Sequence, residues 1–122
     1  MIRDPDTVFK VERLGDTLIV LPQGPTLNFK YQEVHLESNS LRQIVDDPQV
    51  VNAVIDLRDV NYLDSLIISS LLRVLTKTKR SGGTAVFCNG SDEMQAILES
   101  IKIGKLWPHY ETREKALQAL QG

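Results

Sequence analysis

A chain of 122 residues that is 42% hydrophobic and 25% charged has the composition of one ordinary globular domain, too short for two independent cores and without the Gly, Pro or Ser excess of a disordered segment. Its 14 basic and 16 acidic residues leave a formal net charge of -2, which removes the general electrostatic reason to bind a nucleic-acid backbone. A single cysteine, Cys88, excludes an internal disulfide, and no apolar stretch approaches the roughly 18 to 20 residues of a membrane span.

At the start of the chain, Arg3, Asp4 and Asp6 stand where a signal peptide needs an apolar run, so the cytoplasm is the expected location. Residues 8–14 and 17–21 are short, β-branched and apolar, and Gly15-Asp16 between them suits a tight hairpin. Beyond Pro22, Gly24 and Pro25, the apolar Tyr31, Val34, Leu41, Ile44 and Val45 recur mostly at three- and four-residue steps and end before Pro48. That spacing predicts a helix, with Ser38-Asn39-Ser40 as a weak stretch inside it. Residues 51–57, VNAVIDL, form a nearly continuous apolar run, as in a central strand covered on both faces of a parallel sheet.

From Ser65 onward Ile67, Ile68, Leu71, Leu72, Val74 and Leu75 fall on one side of a 3.6-residue wheel, the clearest helix signal in the chain. It runs over 65–79, and Ser81-Gly82-Gly83 is its stop. The basic run from Lys77 to Arg80 reads as a solvated helix end. Residues 84–88 form another buried strand, and Ser91 caps a helix with Asp92 and Glu93 in its first turn. Met94, Ile97, Leu98 and Ile101 share one face of that helix, and Gly104 stops it. Residues 106–110 are a last extended piece, and Thr112 starts a helix that turns Ala116, Leu117 and Leu120 inward. Strand and helix thus alternate four times after the first hairpin strand, which requires right-handed crossovers and a mainly parallel sheet. The expected class is α/β, a (βα)4-type sheet with an N-terminal hairpin strand and helices packed on it, in one domain over residues 1–122.

Chemistry concentrates at Asp64-Ser65, where the loop after the central strand meets the strongest helix. A helix start gathers free backbone N–H groups and the positive end of the dipole, so a hydroxyl or a phosphate there is favourably placed. Asp64 also has the residue type and position of a plain N-cap. On the wheel, Ser65, Ser69, Arg73, Thr76 and Arg80 lie together opposite the buried stripe, and Leu66 falls inside this polar arc. A bulky apolar side chain beside an exposed hydroxyl is a candidate anchor for a protein partner.

The stretch VIDLRDVNYLDS over 54–65, the apolar helix after it, Lys79-Arg80-Ser81-Gly82-Gly83, the strand TAVFCN, and Leu106-Trp107-Pro108-His109-Tyr110 with Ala116-Leu117 together resemble the STAS domain, named for sulphate transporters and anti-sigma factor antagonists. The resemblance runs from about Val8 to Leu120 and is most specific at Asp56-Leu57 and Asp64-Ser65. It implies a sheet with helices packed against it and a serine phosphorylated by an anti-sigma factor that is also a serine kinase. On this chain the phosphoacceptor is then Ser65, with Asp64, Leu66, Ser69, Arg73 and Asn28 on the partner-binding surface and no cofactor. A phosphate brings a charge of roughly -1.5 to -2 into a docking surface, enough to turn attraction into repulsion.

Three positions depart from the family's pattern. Leu66 and Ile67 stand where the usual run has a serine and a glycine, and Asn28 stands near where an acidic residue follows the second strand. They leave open an alternative, a non-phosphorylated STAS scaffold or small-ligand-binding module. His35 and His109 form no cluster of metal-ligand spacing and read as surface residues; Cys88 and Trp107 read as core. A nucleophile elbow, a P-loop and a G-x-G-x-x-G cradle are all missing from the sequence, so catalysis has no support.

Overall fold

The structure, a computed structural model, describes residues 8–23, 31–60 and 62–121. Gly24, Pro25 and Asn28 therefore lie outside the described residues, as do Arg3, Asp4 and Asp6. Strands β1 (Phe9–Leu14) and β2 (Thr17–Pro22) pair antiparallel across a turn in which Gly15 takes φ +60°, as the hairpin requires. Helix α1 (Tyr31–Val45), strand β3 (Asn52–Asp56), helix α2 (Ser65–Arg80), strand β4 (Ala85–Cys88) and helix α3 (Asp92–Ser100) follow. A single turn α4 (Ile103–Leu106), strand β5 (His109–Tyr110) and helix α5 (Arg113–Gln121) complete the order.

The sheet order is β1-β2-β3-β4-β5, with β2, β3, β4 and β5 mutually parallel. Because the strands lie side by side in chain order, every right-handed crossover falls on the same face of the sheet. The main core packs there: Ala53, Ile55 and Leu57 of β3 and the residue after it meet Val34 and Leu41 of α1, Ile67, Leu71, Val74 and Leu75 of α2, and Met94 and Leu98 of α3. Each fully buried Leu, Ile or Met contributes about 1.5–3 kcal/mol of transfer free energy. The opposite face, Ile19, Leu21, Val54, Val86 and Cys88, is covered by Ala116, Leu117 and Leu120 of α5. Both faces of β3 are thus dry, which accounts for its nearly unbroken apolar run.

Several boundaries differ from the sequence reading. Val51 precedes β3 and is 39% exposed, because its N–H donates to the Asp16 carbonyl across the hairpin end instead of joining the ladder. Gly104 does not stop α3. The helix ends at Ser100, Lys102 takes a left-handed φ of 69°, and Gly104 sits inside α4. That reversal turns Ile103 and Trp107 into the core and leaves Ile101 and Leu106 exposed, so the extended piece shrinks to His109–Tyr110. The weak stretch Ser38-Asn39-Ser40 stays helical, and Ser38 Oγ lies 2.8 Å from Ser70 Oγ of α2. No helix among the described residues is long and apolar enough to cross a membrane.

Candidate functional site

The loop from β3 to α2 is held before it reaches the helix. Leu57, Val60 and Leu63 are buried, the Leu57 N–H donates to the Cys88 carbonyl, and the Arg58 N–H donates back to Asp56 Oδ1. On the outer side Asp59 accepts from Lys10 Nζ at 3.4 Å and from Gln23 Nε2 at 3.3 Å, tying the loop to the opening hairpin. Partial burial pushes the Asp59 pKa up, but the Gln23 amide and Lys10 ammonium outweigh it and hold it below the ordinary carboxylate value.

The anchored loop delivers Asp64-Ser65 to the start of α2. Asp64 is half-buried and extended, and its Oδ1 accepts from the N–H groups of Leu66 and Ile67, both at 3.1 Å. It is an N-cap in geometry as well as residue type. Its carboxylate occupies two of the N–H groups that the sequence reading assigned to an incoming oxyanion. A phosphate on Ser65 therefore keeps the favourable dipole end but lies next to an acid already seated on the amides.

Ser65 is exposed, and among the described residues no hydrogen bond holds its hydroxyl. Beside it Leu66 is 38% exposed and Tyr62 53% exposed, two large apolar side chains flanking a small polar one. Ile67 is wholly buried in the main core, so the residue in place of the family's glycine supports the helix from within. Ser69 and Arg73 are exposed one and two turns further on, and both face a cleft of about 180 Å³ between α1 and α2. Ser65, Leu66, Ser69 and Arg73 thus share one surface with Asp64 at its rim, whereas Asn28 lies outside the described residues.

A second polar centre escaped the sequence reading. Asp56, the last residue of β3, is wholly buried; its Oδ2 meets Arg113 Nε at 3.1 Å and Arg58 Nη2 at 3.3 Å. Its Oδ1 accepts from Asn89 Nδ2 at 3.1 Å, and Arg113 also holds Glu12 of β1. The signal was present in VNAVIDL, where period-two alternation puts Asp56 on the same face as the buried Val54. Burial, and then the Asp56 charge, push the Cys88 thiol up to about 12, so it is an inert core group. His109 is half-buried, not a surface residue, and its Nε2 accepts from the Gly90 N–H at 2.9 Å. Among the described residues no group of three His, Cys, Asp or Glu side chains is arranged to hold a metal ion.

A STAS domain family model matches residues 9–116. Among solved structures, an anti-sigma-factor antagonist (STAS) domain protein from Planctomyces limnophilus is 22% identical, covering 93% of this chain and 98% of its own, with a TM-score of 0.74. An anti-sigma factor antagonist from Mycobacterium paratuberculosis is 22% identical, covering 99% of this chain and 100% of its own, with a TM-score of 0.71. The Bacillus cell fate determinant SpoIIAA in its phosphorylated form is 15% identical, covering 91% of this chain and 97% of its own, with a TM-score of 0.68. At these identities the structures share the fold. No curated protein matches by sequence.

Proposed function

The chain belongs to the STAS domain family, and from that premise we propose that it is an anti-sigma factor antagonist-like regulator. It binds an anti-sigma factor serine kinase through the surface around Ser65 and is released when Ser65 is phosphorylated. The observation that carries this reading is an exposed hydroxyl at the first residue of α2, on a loop pinned by Leu57, Val60 and Leu63 and flanked by Tyr62 and Leu66. A rigid loop presents the hydroxyl in one place without an ordering cost on docking.

In the modification step the Ser65 oxygen attacks the γ-phosphorus of ATP, the bond from that phosphorus to the β,γ-bridging oxygen breaks, ADP leaves, and the hydroxyl proton passes to a base on the kinase. The product carries a charge of roughly -1.5 to -2 among groups that dock when neutral. About 1.4 kcal/mol changes affinity tenfold, and an unpaired charge buried in a contact costs more than that. The fold itself is unaffected, since the side chain points to solvent.

Incubation with the cognate kinase and ATP is expected to give one phosphorylated species, lost in Ser65→Ala; labelling that survives this variant removes Ser65 from the mechanism. A second reading, a non-switching scaffold, is favoured by the exposed Leu66 and Tyr62 and by Ile67 in the core. It expects Leu66→Asp to abolish partner capture while Ser65→Asp changes it little, whereas equal losses from both speak for the switch.

A further inference from the structure

Six arginines lie among the described residues, and they divide into two sets. Arg13, Arg58 and Arg113 each hold a carboxylate at 3.1–3.3 Å. Arg42, Arg73 and Arg80 hold no carboxylate among the described residues, although the chain has more acidic than basic side chains. These three are not scattered. All line a cavity of about 330 Å³ between the C-terminal halves of α1 and α2, and Arg42 and Arg73 continue into the 180 Å³ cleft that reaches Leu66 and Ser69.

The charge asymmetry begins in the sequence of α2, which carries Arg73, Lys77, Lys79 and Arg80 and no acidic residue. The one acid that lines the cavity, Asp46, is already engaged by Lys77 at 3.7 Å. Val45 and Leu72 supply an apolar floor. From Leu66 to Arg80 the groove follows α2 for about 20 Å, the length of roughly six residues of extended peptide.

We propose that this groove between α1 and α2 docks an acidic peptide segment of a partner protein, its carboxylates paired with Arg42, Arg73 and Arg80 and an aliphatic side chain laid on Val45 and Leu72. Guanidinium forks bind carboxylates bidentately and lose little solvation in doing so. Arg73 and Arg80 stand seven residues apart on α2, about 10 Å along its axis, farther than one phosphate spans, and no aromatic side chain lines the cavity that holds all three arginines to stack a base. A concave seat between two helices does not follow the flat surface of an anionic membrane. The docking stands without Ser65. Its control by phosphate, a like charge placed at the Leu66 end of the groove, rests on the proposed function.

The test is fluorescence anisotropy with a labelled peptide Glu-Glu-Leu-Glu-Glu-Leu-Glu-Glu and its Lys-for-Glu counterpart, on the folded full chain. The acidic peptide is expected to bind and the basic one not. Affinity should fall at least tenfold in Arg42→Glu with Arg80→Glu, and several-fold in the milder Arg42→Ala with Arg80→Ala, each checked for fold by circular dichroism. Lys79→Glu with Lys105→Glu makes the same change in net charge outside the groove and should cost less than threefold. Absence of binding, an equal loss in this control, displacement by ATP or inorganic phosphate, or tighter binding to phosphatidylserine vesicles overturns the proposal. Ser65→Asp reports on the switch alone: weaker peptide binding supports control by phosphate, and unchanged binding removes that control while leaving the groove as a docking site.

Discussion

The Asp56 carboxylate, wholly buried at the end of β3, meets the Arg113 guanidinium at 3.1 Å, so the last residue of the central strand and the first residue of α5 are joined by charge. Removing one partner of a buried pair leaves an uncompensated charge, at a cost of about 3–5 kcal/mol. Here Arg58 remains as a second cation at 3.3 Å. Arg113→Met is therefore expected to lose about 2 kcal/mol in urea denaturation; a loss below about 0.5 kcal/mol, the range of ordinary surface substitutions, means that the pair does not hold α5 to the sheet.

Asp64 and Ser65 are adjacent and should behave differently. Asp64→Ala deletes the acceptor of two helix N–H groups and is expected to cost about 1 kcal/mol. Ser65→Ala removes an exposed hydroxyl and should stay within about 0.5 kcal/mol of the parent. Chemical denaturation of the two variants separates the cap from the modification site, and similar losses in both contradict the division of labour.

Gly83 sits where the chain leaves α2 for β4, and a Cβ there falls 1.7 Å from the Val51 carbonyl oxygen. Backbone on both sides must move to admit it. Gly83→Ala is expected to lose at least about 2 kcal/mol, seen as a lower Tm, whereas Gly82→Ala meets no neighbouring atom and carries only the strain of its φ of +88°.

Burial lowers the pKa of His109 from its ordinary value of 6.5. The folded state keeps the imidazole neutral while the unfolded state takes up a proton, so stability is fully present above the unfolded value and falls as pH drops below about 6.5. The loss levels off below the folded pKa. Thermal melts between pH 7.5 and 5 should slope downward in the parent and be flatter in His109→Gln; the lowered carboxylates Asp47, Asp59 and Glu111 enter only nearer pH 4. An identical slope in the two proteins assigns the pH dependence elsewhere.

The α/β class, the hairpin, the long helix over Ser65–Arg80 and its exposed arc were legible because each depends on local periodicity or on turn and cap chemistry. The Asp64 cap was legible for the same reason. The end of α3 was not, since Gly104 is an ordinary stop signal and only the burial of Ile103 and Trp107 moved the reversal to Lys102. His109 looked like a surface residue until Gly90 was brought against its ring.

What the sequence alone determined was the alternation of elements and the place of Ser65 at a helix start, properties that a few neighbouring residues control. What tertiary structure decided were relations between distant residues: the Asp56–Arg113 pair, 57 positions apart, and the gathering of Arg42 with Arg73 and Arg80 along one groove. Such meetings follow from how helices cross a twisted sheet, and no spacing along the chain records them.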